Sequence, residues 1–352
     1  MDREKKYKVI IVGAGPAGLS CAINLKRQGI EDILVVDSHV FPRDKCCAGY
    51  VTSKTGKVYK SLGLDIEDCN YSLIEDFNIL FRNAPRQRIK NIFLYTNRLI
   101  NRVELDYGFF KVAKSEGIEI REDAAVTGVD REGKVVELSD GSVFPYDNLV
   151  FADGTTGYGS RLQPRKCKTN IAMQCIFDEE IPDKIDIHFG ISKKGYGWVS
   201  SYKGTVNVGL TDVWNPDINY RDLYKDFLAR VGIHKEPEGL YAAFTPMTVG
   251  EAVIDENIYY VGDALGACDP MTLSGLRYGL ESGRKVAESI SSKDNSIIKK
   301  YAAQLKRKFW FMRMMQRVFY LKPVSVLVFD VGCRFFGGFI SLVFNNFFVN
   351  KK

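Results

Sequence analysis

The stretch "KVIIVGAGPAGLSCAINLKRQG", Lys8 to Gly29, decides how the rest of the chain is read. An apolar run ending at Val12 suits one short buried strand. It breaks into a Gly-x-Gly-x-x-Gly turn at Gly13, Gly15 and Gly18, and a helical pattern follows with Ala17, Cys21, Ala22 and Leu25 as its apolar stripe. In such a turn the first glycine makes the tight corner and the second lets a pyrophosphate approach the backbone. The third lets helix and strand pack closely, so a pyrophosphate sits on the helix N-terminus. Pro16 and Ala17 complete this set of expected cofactor-binding positions.

Working outward, "EDILVVDSH" (Glu31–His39) supplies a second strand ending at Asp37, 24 residues after Gly13. An acid there accepts hydrogen bonds from a ribose 2′-hydroxyl and disfavours a 2′-phosphate. A dehydrogenase would continue with further alternating strands and helices, and they do not follow. Instead "EGIEIREDAAVTGVDREGKVVELSDGSVFPYDNLVFADGTTG" (Glu116–Gly157) reads as short antiparallel strands with turns at Glu132-Gly133 and Asp140-Gly141. It ends in a strand, Asn148 to Phe151, that runs into Ala152-Asp153-Gly154.

Far along the chain, "NIYYVGDALGACDPMTLSGLRYGLESGRKVAESI" (Asn257–Ile290) predicts a strand delivering Gly262-Asp263 to a loop, then a helix starting near Thr272 to Gly275. An acid at a strand end suits a polyol hydroxyl such as that of a ribityl chain. A helix N-terminus beside an isoalloxazine ring stabilises the negative charge of its reduced form. That arrangement requires FAD.

The combination of "VGAGPAG", "NRVELD" (Asn101–Asp106), "FADGTTGYGSR" (Phe151–Arg161) and "VGDALGACDPMTLSG" (Val261–Gly275) resembles FAD-dependent oxidoreductases of the para-hydroxybenzoate hydroxylase fold. Within them, "FPRDKCCAG" (Phe41–Gly49) and "GYGWVSSYKGTVNVGL" (Gly195–Leu210) resemble the geranylgeranyl reductase family, which reduces isoprenoid double bonds. The resemblance spans about residues 7 to 290. It implies that Gly13, Gly15 and Gly18 hold the pyrophosphate, Asp37 the adenosine ribose, and Arg102 the phosphates or ribityl region. It places Val126 against the adenine, Asp153 and Gly154 as a brace, Gly262 and Asp263 at the ribityl chain, and Gly275 with Leu276 beside the ring. Cys47, Ala48 and Gly49 are implied to line the flavin, with Cys46 where the family often has proline. Tyr196 and Trp198 fall on the substrate side, and Cys47 and Tyr196 are the candidate catalytic residues. The family's following Phe-Pro is here Val199-Ser200-Ser201, so the substrate-side turn departs from the pattern.

The fold class expected is α/β, α+β mixed: a Rossmann-like FAD-binding domain interleaved with an antiparallel substrate sheet, plus C-terminal helices. The boundaries expected are 1–70, 99–165 and 255–297 for FAD binding, 71–98 and 166–254 for the substrate domain, and 298–352 for the tail. Alternating runs between 166 and 254 supply the sheet, with "DLYKDFLARVG" (Asp222–Gly232) as an intervening helix.

Composition supports an ordered globular chain of 352 residues, 45% hydrophobic and 26% charged. Its net charge of +6 is uneven, because residues 299–352 carry about +10 and the remainder about −4. Basic residues at 306–308, 313, 317 and 322, interleaved with Trp310, Phe311, Phe319 and Tyr320, suit either an anionic membrane surface or a cap over the substrate cavity. Asp330, Arg334 and paired glycines interrupt the apolar run Pro323–Phe344 and argue against a membrane span. No nucleic-acid partner is expected, since these charges sit among hydrophobics without a recognition fold. The eight cysteines show no C-x-x-C spacing and are read as reduced thiols. His39, His188 and His234 are scattered, so no metal site is expected. The N-terminus enters a strand without a signal core, which implies a cytoplasmic location, peripheral at the membrane where the tail docks.

Together these features imply an FAD enzyme that reduces C=C bonds of a prenyl or other apolar lipid by hydride transfer from flavin N5. The alternatives are a flavin monooxygenase using NAD(P)H and O2, and a non-catalytic FAD-containing lipid-binding or redox-sensing protein. No second dinucleotide motif is visible, so the external electron donor stays open between transiently bound NAD(P)H, a ferredoxin and another reductant. The oligomeric state is not encoded in any motif.

Overall fold

The computed structural model describes residues 5–74, 77–81, 87–88, 97–164, 168–178, 184–321 and 324. At its centre, Tyr7–Val12 is hydrogen-bonded in parallel to Ile33–Val36 on one side and to Val143–Phe151 on the other. Ile258–Tyr260 continues the sheet beyond Phe151, again parallel, and Val253–Ile254 closes that edge antiparallel. Apart from the exposed Lys8, Tyr7–Val12 and Ile33–Val36 are apolar on both faces and buried, as strands covered on both sides must be.

One edge differs from the sequence reading. Glu119–Arg121, taken there as the start of an antiparallel run, pairs in parallel with Leu34–Val36 and extends the nucleotide sheet. Three residues are too few to display a periodicity, and only pairing decides their sheet. The antiparallel reading holds for Val126–Asp130, Val135–Leu138 and the start of Val143–Phe151.

The helix Pro16–Arg27 is buried almost all round rather than along one stripe, with Leu19, Ser20 and Ile23 inaccessible as well. The cause is the helix Leu276–Ser292, which lies against its outer side while the sheet covers the inner one. The two helices approach closely at small residues. A Cβ on Gly283 would collide with the carbonyl oxygen of Ala17, and one on Gly262 would come within 2.7 Å of the Ala17 methyl. The Ser20 hydroxyl donates to the Leu280 carbonyl at 2.8 Å across the same contact.

A second sheet runs in the spatial order Tyr241–Pro246, Thr169–Asp178, Thr205–Val213, Tyr196–Tyr202, Lys184–Phe189, Phe77–Phe81, Gln87–Arg88. It is antiparallel except where Lys184–Phe189 meets Phe77–Phe81. Ile171, Met173, Cys175, Val206, Val208 and Leu210 bury one face against the helix Tyr220–Arg230 through Tyr224, Phe227 and Leu228. The opposite face carries the alternate residues and meets the cysteine loop. Tyr71–Ile74, read with the substrate region, pairs instead with Asn97–Ile100, which also pairs with Tyr50–Val51.

The C-terminal helix Ser296–Phe319 buries Ile298, Ala302, Leu305 and Phe309 in the main core. Its spacing of three to four residues marks one face. The apolar run Pro323–Phe344 read from the sequence lies outside the described residues apart from Val324. No helix among the described residues is long and apolar enough to cross a membrane.

Candidate active site

The glycine turn passes a physical test for a pyrophosphate. Gly13 has φ +109°, and a Cβ there would lie 2.5 Å from the carbonyl oxygen of Ala152 on the neighbouring strand. Gly18 packs on Gly13 itself. Around Gly15 the protein leaves room, and the nearest atom to a built Cβ is the Arg43 guanidinium at 3.4 Å. Two glycines thus answer to packing, while the third borders a space with a cation over it. Arg43 was not singled out from sequence. It sits over the Phe41 ring at 5.0 Å with its Nε buried and unpartnered, and it is 3.9 Å from Asp106. A lone arginine in a loop carries no spacing signal, so only the fold could bring it to Gly15.

Asp37 is buried where the second strand ends. Its Oδ2 accepts from the Ala14 amide at 2.7 Å and its Oδ1 from the His39 amide at 2.9 Å, which fixes the carboxylate toward the glycine turn. Its carbonyl accepts from the Ala124 amide at 2.8 Å, two residues before Val126. Val126 is half-buried at that edge.

Asp153 follows Ala152 beside Gly13, and Gly154 has φ +80° with open space around it. The Asp153 Oδ2 accepts from the Gly159 amide at 2.7 Å, whereas its Oδ1 is buried without a partner among the described residues. Burial, with Asp37 adding like charge, raises its pKa to about 6.

Asp263 lies in the first turn of the short helix Gly262–Leu265; its carbonyl accepts from the Gly266 amide at 3.0 Å, while its carboxylate has no hydrogen-bond donor among the described residues. Burial pushes its carboxyl pKa up, and Lys45 and Arg102 pull it partly back. Its Oδ1 is 3.1 Å from where a Cβ on Gly275 would stand, so Asp263 and the Gly275–Leu276 helix start are neighbours. Arg102 is buried and donates from Nε and Nη2 to the two oxygens of Asp106 at 3.0 and 2.9 Å. The arrangement therefore gives Gly15 the guanidinium of Arg43, and gives Asp263 the charge of Arg102.

The cysteine loop is held from two sides. Gly49 accepts from the Ile100 amide at 3.0 Å. The Asn207 side-chain amide donates to the Cys47 carbonyl at 3.3 Å and accepts the Trp198 indole N–H at 3.0 Å. Trp198 thus lies across Gly209, its cross-strand neighbour, and reaches the loop through Asn207. The Cys47 Sγ is met by the Gly49 amide at 3.5 Å. The Cys46 thiol points elsewhere, 3.9 Å from the Ala172 carbonyl, and burial raises its pKa to about 12. Ala48 lines a cavity beside Cys47. Asn207 was also missed from sequence, although it is the polar member of the alternating run "TVNVGL".

Tyr196 does not stand free. Its hydroxyl donates to the Thr272 carbonyl at 2.7 Å, tying the sheet to the loop before Gly275, and burial raises its pKa. Its ring lies 6.3 Å from Trp198 and 5.9 Å from Phe189, which in turn meets Phe319 of the C-terminal helix at 5.4 Å. Tyr320 donates to the Gly195 carbonyl at 2.8 Å. Phe319 and Tyr320 therefore cap the sheet, while Trp310 and Phe311 remain on the outer face of their helix. Lys306, Lys308 and Arg313 are engaged by Glu251, Tyr278 and the Met247 carbonyl rather than standing as free heads. His39 bonds Asp37, His188 packs on Phe227, and His234 is exposed; among the described residues no group of side chains can hold a metal. Six described cysteines are free thiols.

A family model for an FAD binding domain matches residues 6–139. This chain is an FAD-dependent oxidoreductase, geranylgeranyl reductase-like. It is 29% identical to a menaquinone reductase of Mycolicibacterium smegmatis, over 81% of this chain and 76% of that one. It is 26% identical to a digeranylgeranylglycerophospholipid reductase of Methanococcus vannielii, over 87% and 84%. Among solved structures it superposes on a geranylgeranyl bacteriochlorophyll reductase-like protein of Thermoplasma acidophilum with a TM-score of 0.75 at 17% identity, covering 90% and 88% of the two chains. A flavin-dependent brominase gives 0.73 at 19% identity, covering 96% and 92%, so the fold by itself does not choose the chemistry.

Asp263→Ala is expected to purify with much less FAD than the wild type at equal folded content, read as the 450 to 280 nm absorbance ratio. A variant as yellow as the wild type removes Asp263 from the cofactor site.

Proposed function

We propose that this reductase saturates carbon–carbon double bonds of a prenyl or similarly apolar lipid. The single observation that carries the reading is the joint between sheet and cofactor region: Trp198, Asn207 and Cys47 form one hydrogen-bonded chain, and Tyr196 is tied to the loop before Gly275. The relatives named as reductases of prenylated compounds support the substrate class. FAD, when bound, supplies the hydride.

The chain's own residues hold the cofactor and the alkene. Gly13, Gly15, Pro16, Ala17 and Gly18 receive the pyrophosphate with Arg43 over it, and Asp37 takes the adenosine ribose. Asp263, beside Arg102, takes the ribityl hydroxyls, and Gly275 with Leu276 stands at the ring. Trp198 and the capping residues Phe319 and Tyr320 make an apolar, water-poor wall. An unactivated alkene has no carbonyl to polarise, so catalysis depends on alignment in a dry site. Of the two candidate proton donors, Cys47 is the better placed. The Tyr196 proton is committed to the Thr272 carbonyl and its release is opposed by burial.

Anaerobic incubation of dithionite-reduced protein with prenyl lipids is expected to reoxidise the flavin and to add two mass units per reduced bond. Reduced flavin that ignores every lipid, yet reacts rapidly with oxygen on addition of an aromatic compound, would replace this reading with a monooxygenase. In the same assay Cys47→Ala is expected to slow product formation about a hundredfold or more at unchanged FAD content, the range a positioned proton donor supplies. An unimpaired variant assigns the proton to another group.

The lipid reaches the site from a membrane in this reading. Trp310, 58% exposed, aligns with Phe311, Met314, Met315 and Val318 on the outer face of the C-terminal helix, flanked by exposed Arg307 and Arg317. An exposed apolar stripe with basic flanks suits the interface of an anionic bilayer. Trp310→Glu with Phe311→Glu is expected to abolish cosedimentation with anionic vesicles while the protein stays yellow; undiminished cosedimentation retires the membrane contact.

A further inference from the structure

A cavity of about 290 Å³ lies between the cysteine loop, the start of the helix Arg102–Ser115 and the loop-facing side of the antiparallel sheet. Cys47, Ala48 and Arg102 form one wall, and Gln174, Ser200 and Asn207 form the sheet wall. Gln174 is 6% exposed, and its Oε1 is buried with no hydrogen-bond partner among the described residues. A buried acceptor without a donor costs free energy that a bound O–H would recover. The sequence places Gln174 there by alternation: Ile171, Met173, Cys175 and Phe177 go to the helix-covered face, leaving Gln174 on the other.

Volume and charge narrow the occupant. About 290 Å³ is roughly ten times the share of one water in the liquid, enough for a head group or a bicyclic ring and too little for a long prenyl tail. The rim carries Asp44 and Glu238 against Lys45 and Arg102, and Arg102 is already paired with Asp106. The charges balance, so the cavity has no excess positive charge to hold a phosphate or diphosphate.

We infer that this cavity is a head-group subsite, in which Gln174 Oε1 accepts a hydrogen bond from the hydroxyl of a neutral, oxygen-bearing substrate head. The subsite rests on the prenyl-lipid reading for its tail, and it makes Gln174 a specificity-determining residue. The head would sit beside Cys47, with the tail passing along the Trp198 side of the loop.

The test is a calorimetric titration of the oxidised, FAD-loaded protein with farnesol, farnesyl methyl ether and farnesyl diphosphate. Farnesol is expected to bind about tenfold more tightly than the ether, the share of one hydrogen bond to an otherwise unsatisfied acceptor. Gln174→Met is expected to bind both at the affinity of the ether, with FAD content and flavin spectrum unchanged. Equal binding of alcohol and ether by the wild type overturns the subsite without recourse to any variant. Tightest binding of the diphosphate overturns it as well, and loss of FAD from Gln174→Met assigns the cavity to the cofactor instead. If no farnesyl compound binds, the prenyl reading fails, and 2-naphthol against 2-methoxynaphthalene decides the subsite separately: preference for the naphthol sustains it, and parity or absence of binding ends it.

Discussion

The close approach of the helices Pro16–Arg27 and Leu276–Ser292 is the contact on which the site depends. Some 260 residues separate Ser20 from Leu280, yet the Ser20 hydroxyl donates to the Leu280 carbonyl. That distance is reached because Gly283 brings no side chain to the Ala17 carbonyl and Gly262 leaves room for the Ala17 methyl. A larger residue at either position would push the late helix away from the glycine turn, as overpacking in a dense interior does. Asp263 and the Gly275 helix start would move with it. The residues proposed to hold the two ends of the cofactor are therefore positioned by one helix–helix contact.

The nucleotide half was legible because its residues obey strong local rules. Gly13 needs a positive φ that glycine adopts without cost, and the buried strands on either side are continuous apolar runs. The sheet was legible through alternation, with Val206, Val208 and Leu210 going to one face. The same alternation leaves Gln174 and Asn207 on the other face, the one that meets the cysteine loop. Arg43 and the parallel edge strand Glu119–Arg121 had no local signature. A single loop cation and a three-residue strand acquire meaning only from partners distant in sequence.

The tail offered two readings, and one helix accommodates both. Its buried positions Ile298, Ala302, Leu305 and Phe309 answer to the core, and Phe319 with Tyr320 answers to the sheet. Trp310, Phe311, Met314 and Met315 answer to neither. Counting charge along the sequence could not separate these sets, because Lys306, Lys308 and Arg313 look like free heads until the fold gives them partners.

Electrostatics give the same site a direction. Asp153 and Asp263 are both carboxyls whose ionised forms are disfavoured by burial, and among the described residues the Asp263 carboxylate meets no donor and that of Asp153 meets the Gly159 amide. Such groups gain most from a ligand rich in hydroxyls, since each O–H that reaches them restores hydration lost on folding. Lys45 and Arg102 act against the rise in pKa at Asp263. Tyr196 then matters less as an acid than as a tie: by donating to the Thr272 carbonyl it joins the antiparallel sheet to the loop before Gly275. The antiparallel sheet is thus joined to the rest of the site at two places, by one hydrogen bond from Tyr196 to Thr272 and by the chain Trp198, Asn207 and Cys47 at the cysteine loop.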